Sequence, residues 1–127
     1  MTAANDSSNS WLEREKALLR LVGARLTSVQ FVLEYLILGF DEKGALTTLV
    51  WPEIAQGASV SKFGSSGYRD LLCALIGGIV QSATIQADDT IEIQFDQDVE
   101  LRIPLKTYAG KGERAILTAP KHFLRVF

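Results

Sequence analysis

The stretch Gly64-Ser65-Ser66-Gly67-Tyr68-Arg69-Asp70 holds the residues of this chain best suited to chemistry. Small residues ahead of a helix leave backbone N–H groups open to an anion, and the Arg69 guanidinium adds a fork of donors for a phosphate or carboxylate. Ser66, Gly67, Tyr68 and Arg69, together with the single His122, form the candidate ligand-binding set. A simpler reading stands beside it, in which Ser66 caps the helix, Tyr68 packs on a sheet and Arg69 pairs with a neighbouring carboxylate. His122 could serve as a general base and Ser65 or Ser66 as a nucleophile. Such a relay also needs an orienting acid and an oxyanion pocket, and no spacing links these groups, so no catalytic residue is assigned.

Other chemistries find less footing. The chain has no Gly-x-Gly-x-x-Gly, no Gly-Lys-Ser/Thr phosphate loop and no Gly-x-Ser-x-Gly elbow. One histidine and one cysteine cannot build a zinc site of the usual nitrogen and sulfur type within one subunit, and no metal or other cofactor is expected. The acids at Asp88-Asp89 and at Asp96 and Asp98 read as turn punctuation, because the Gly and terminal Glu of a calcium loop are missing. Trp51, beside the rigid Pro52, and Tyr35 are aromatic candidates for an interaction surface, and truncating Trp51 or Tyr68 to alanine is expected to weaken association without unfolding the chain.

Composition sets the frame. With 127 residues and 47% hydrophobic content the chain is long enough for one substantial core, and a net charge of −2 points to neither nucleic acid nor membrane. Cys73 has no internal partner, and its apolar flanks read as a buried helical stretch, which suits the cytoplasm. Residues 1–9 are small and polar and are expected to be disordered, with no leader-like apolar run. The segment 106–127 carries five of the 13 basic residues (Lys106, Lys111, Arg114, Lys121, Arg125) against Glu113 alone, so it is expected to fold back on the acidic body.

The elements that would position these groups come in two similar runs. Leu26, Val29, Phe31, Leu36, Leu38, Phe40-Asp41, Leu46 and Thr48 are echoed by Val80, Ala83, Ile85, Ile91, Ile93, Phe95-Asp96, Leu101 and Ile103. Each run follows a short amphipathic helix, one opened by Ser10 with Glu13 and closed by Gly23, the other opened by Ser66 or Gly67 and closed by Gly77. Ile91, Ile93 and Phe95 alternate with polar residues, as do Val99, Leu101 and Ile103. The stretch 29–40 is either a hairpin with a very tight turn near Glu34-Tyr35 or one bent strand. The predicted fold is therefore α+β: a helix plus a three-stranded antiparallel meander, internally duplicated, with both copies packed into one domain. Residues 10–51 form the first repeat, 52–65 a Gly/Ser/Ala-rich linker, 66–105 the second repeat, and 106–127 a C-terminal segment with short strands either side of Pro120.

The segments Phe31-Val32-Leu33-Glu34-Tyr35, Leu46 to Pro52 and Gly67 to Gly77 resemble a group of small uncharacterised bacterial proteins. That resemblance implies a bacterial, soluble, single-domain protein and brings no activity or site residues with it. The residues favour a non-enzymatic binding or protein-interaction module, with an unknown protein or a second copy as partner. The alternative is a small anionic-ligand-binding or phosphoester-processing protein that uses the helix start at Ser66–Asp70.

Overall fold

Backbone pairing in a computed structural model, which describes residues 12–107, 114–119 and 123–127, distributes ten strands between two five-stranded antiparallel sheets. The first sheet has the order β1 (Leu26–Val32), β2 (Tyr35–Phe40), β3 (Gly44–Thr48), β9 (Ala115–Ala119), β10 (Phe123–Val126). The second has the order β6 (Val80–Ile85), β7 (Thr90–Phe95), β8 (Val99–Pro104), β4 (Glu53–Gln56), β5 (Ser59–Ser61). Helix α1 covers residues 12–19, α2 covers Tyr68–Ala74, and a 3-10 turn spans Leu105–Thr107.

This architecture corrects the expected fold class. The described residues are about half strand and 16% helix, and a helix-plus-meander unit is not the building block. Each sheet combines a meander from one half of the chain with a hairpin from the other: β4 and β5 leave β3 to pair with β8, while β9 and β10 leave β8 to pair with β3. The expected linker 52–65 is therefore largely hairpin, with Ile54 facing Leu101 across the β4/β8 ladder. The stretch 29–40 is a hairpin whose turn residues are Leu33 and Glu34. Residues 1–9, the Ser10 cap and His122 lie outside the described residues.

The two sheets join where β1 and β6 begin. Gly23 donates its N–H to Val80 O (2.8 Å) and Gly77 donates to Leu26 O (2.8 Å); Leu26 donates to Gly78 O and Val80 to Ala24 O, both at 2.9 Å. The Asp41 carboxylate accepts from Arg25 N (2.8 Å) and the Asp96 carboxylate from Ile79 N (3.0 Å), so each Asp after a Phe secures the junction rather than only punctuating a turn. Both β1 and β6 carry a register shift just inside this joint, between Leu26 and Ser28 and between Val80 and Ser82. A bulge at that point turns the strand away and restores its apolar side to the interior.

The inner faces meet in one continuous apolar cluster. Leu36, Leu38, Leu46 and Leu117 come from the first sheet, Ile91, Ile93, Phe95, Leu101 and Ile103 from the second, and Leu18, Leu21, Leu72 and Leu75 from the helices and the turns that end them. Thr48, the buried polar residue of this interior, exchanges hydrogen bonds with the Val50 backbone through its hydroxyl, which removes the cost of leaving it unpaired.

Candidate functional site

Two regions draw the residues with binding chemistry together: a cleft at the start of α2, and the outer face of the first sheet. In the cleft, Gly67 is the N-cap, held at φ 79, and no side chain caps the helix. Ser66 is exposed and performs no capping, while Ser65 supplies the turn through bonds between its backbone and Lys62 and Tyr68. Tyr68 is only 2% exposed and donates its hydroxyl to Pro52 O. Burial, with a smaller contribution from Glu53, pushes its phenol well above the ordinary value. Tyr68→Ala would thus damage the fold, against the expectation that it would affect association alone.

Phe63 completes this region and was not singled out in the sequence. It stacks on Trp51 with ring centroids 4.4 Å apart and meets Tyr68 edge-to-face at 5.9 Å, yet remains 50% exposed. The cleft beside it, about 310 Å³, is lined by Phe63, Gly64, Ser65, Gly67, Tyr68, Arg69 and Asp70. Among the described residues Arg69 makes no ion pair; its guanidinium lies 5.4 Å from the centre of the Phe31 ring. With an acid and a base side by side and a helix of seven residues, the cleft has no marked preference for anions. Cys73 is exposed rather than covered by its apolar neighbours.

The second region follows from strand alternation. With Leu36, Leu38, Phe40, Leu46, Ala115 and Leu117 turned into the core, the intervening residues of the first sheet must face outward. Register aligns them in two rows across the strands. One contains Gln30, Ile37, Thr47, Ile116 and Val126, the other Ser28, Gly39, Ala45, Thr118 and Leu124. Tyr35 sits at the rim, paired with Val32. No Asp, Glu, Lys or Arg occurs in either row. Leu124 and Val126 on the edge strand are exposed large apolar residues, and the Tyr35–Phe40 strand has no charged position.

The outer face of the second sheet is built differently on the same strand order. Glu92 pairs with Arg102, Gln94 with Glu100, and Glu53 with Arg102 across neighbouring strands. Arg102 donates to the Glu100 carboxylate. Partial burial, followed by the nearby Glu100 and with Asp88 adding, raises the Glu92 carboxyl above its ordinary range while Arg102 opposes the shift. This is a solvated, charge-laced face.

The sequence held a signal for this contrast. Tyr35-Leu36-Ile37-Leu38-Gly39-Phe40 is a continuous apolar run, whereas Thr90-Ile91-Glu92-Ile93-Gln94-Phe95 alternates, and a continuous run in a strand marks a requirement for cover on both faces. Among the described residues no helix is long and apolar enough to cross a membrane, and no group of three or more metal-ligating side chains comes together. Compared with known protein families, curated proteins and solved structures, the chain matches none.

Proposed function

We propose that the chain is a non-enzymatic protein-interaction module that works through the outer face of its first sheet. The observation that carries this reading is the run of uncharged positions across all five strands, on an architecture whose other sheet presents Glu53, Glu92, Glu100 and Arg102 at its surface. The apolar part of that face, Ile37, Ile116, Leu124 and Val126 with Gly39 and Ala45 between them, is stabilised by burial against a partner at about 25 cal/mol per Å² of apolar area. The lone exposed thiol of Cys73 fits a reducing, cytoplasmic setting. A photo-crosslinking amino acid placed at Ile37 should give adducts in cells, and the same group at Glu92 should give few. Equal yields at the two positions, or none at Ile37, would contradict the reading.

The helix-start cleft supports a second reading, a small-ligand site, through the half-exposed Phe63 ring on its Trp51 backing. A thermal-shift screen of nucleotides, sugar phosphates, carboxylates and aromatic cations tests it. A ligand at a hundred times its dissociation constant stabilises by about 2.7 kcal/mol. A screen with no shift argues against the cleft as a ligand site.

A further inference from the structure

Resting on the interface reading above, we propose that the occupant of the first sheet's outer face is a second copy of this chain, packed face to face about a two-fold axis that runs across the strands. The relief of the face points to this arrangement. The row Ile37, Thr47, Ile116, Val126 is largely bulky, and the row Gly39, Ala45, Thr118 is small until it reaches Leu124 at the edge. The rows are two residues apart, about 7 Å along the strands. A two-fold axis midway between them lays the bulky row of one copy over the small row of the other. Ile37 then lies over Gly39 of the second copy, Thr47 over Ala45 and Ile116 over Thr118. The Ser28 hydroxyl crowds the place where a Gly39 Cβ would stand, so it fills part of the hollow and the facing isoleucine rests on a shallow depression rather than in a deep pocket.

Area and charge agree with a second copy as occupant. Five strands at about 4.8 Å spacing and about 20 Å of strand length give on the order of 500 Å² per copy, or ~1,000 Å² in total, at the threshold for a specific but dissociable interface. An isologous contact must also be compatible with itself. The first sheet meets that condition because neither row contains a charge. The second sheet meets it less well, since Glu53, Glu92 and Glu100 against Arg102 leave its outer face net negative, so two copies of that face repel.

Sedimentation equilibrium of the full chain from micromolar to millimolar concentration tests the proposal. The wild type should show a reversible monomer–dimer equilibrium. Thr47→Glu and Thr47→Lys should each raise the dissociation constant at least 100-fold, an equimolar mixture of the two should recover association, and Thr84→Glu on the second sheet should leave it unchanged. Thr118→Glu and Thr118→Lys, at an exposed position opposite Ile116 of the second copy, repeat the test if a Thr47 variant fails to fold. A wild type that stays monomeric at 1 mM while the Ile37 crosslinker yields adducts with another protein overturns self-pairing and leaves the interface reading intact. A dimer that survives every first-sheet variant overturns self-pairing through this face, and if the Ile37 crosslinker also yields no adducts the interface reading falls with it.

Discussion

The outer faces of the two sheets rest on matching strand orders, and position by position they have opposite surface chemistry. Ile37 pairs with Thr47 in the middle of the first sheet, where Glu92 pairs with Arg102 in the second; Gly39 pairs with Ala45, where Gln94 pairs with Glu100. Inside, the same strands agree: Leu38 faces Leu46, and Ile93 faces Leu101. The interior is what the fold requires, so both sheets satisfy it alike. The exterior is free to vary, and a charge-free exterior on one sheet alone is a property the fold does not demand. That difference is what supports the proposed interface on the first sheet.

A smaller contrast separates the ends of the two outer hairpins. Phe127, after β10, is 4% exposed and bonded through its backbone to Ala115 and Arg114, whereas Phe63, after β5, is half-exposed on Trp51. One end is closed over its aromatic ring, and the other leaves the ring beside an open cleft.

The inner half of the comparison breaks most visibly under core truncation. Leu38→Ala and Ile93→Ala should each cost about 3 kcal/mol, because both side chains are fully buried. Denaturant unfolding should show one transition for each variant; separate transitions for the two sheets would sink the shared core. Next in size, Tyr68→Phe should cost roughly 1–2 kcal/mol, since it leaves the buried Pro52 carbonyl without its donor. An unchanged midpoint would show that Pro52 O finds water. Asp41→Ala and Asp96→Ala should each cost about 1 kcal/mol, the worth of one carboxylate bond at the junction. Unequal losses would mean that the junction is held from one side.

The smallest effect concerns the charged face. Because the Glu92 carboxyl is raised in the folded chain, the folded state holds its proton more tightly than the unfolded one. Its stabilising contribution is complete below the unfolded pKa and disappears as pH rises through the folded one, so ionised Glu92 opposes folding at neutral pH. Glu92→Gln should therefore raise the midpoint of thermal unfolding at pH 7 and leave it unchanged in acid. The opposite pattern would show that Arg102 outweighs burial at this site.

Much of the interior was legible because alternation is a local property. β7 and β8 follow directly from Ile91-Glu92-Ile93-Gln94-Phe95 and Val99 to Ile103. β4 and β5 were hidden because Glu53–Gln56 and Ser59–Ser61 are short and sit among Gly, Ser and Ala, with little apolar content to reveal a period. The sequence does not decide between a hairpin and a bent strand over 29–40 because neither Leu33 nor Glu34, which form the turn, is a usual turn former. The exchange of hairpins between sheets depends on pairings such as Ala45 with Thr118, which no local window contains. Gly64, Ser65, Gly67 and Arg69 drew notice in the sequence and line the cleft, but Phe63 depends on the unseen hairpin, and the cap at Ser66 failed because Gly67 at positive φ took its place. Cys73 was misjudged because a helix of seven residues buries only one narrow side.

Backbone amide chemical shifts followed on dilution from millimolar to micromolar concentration test the central claim most directly. Concentration-dependent shifts at Ile37, Gly39, Ala45, Thr47, Ile116 and Thr118, with Glu92, Gln94, Glu100 and Arg102 unmoved, are the predicted result. Shifts confined to the second sheet, or a spectrum that does not change with concentration, would contradict it.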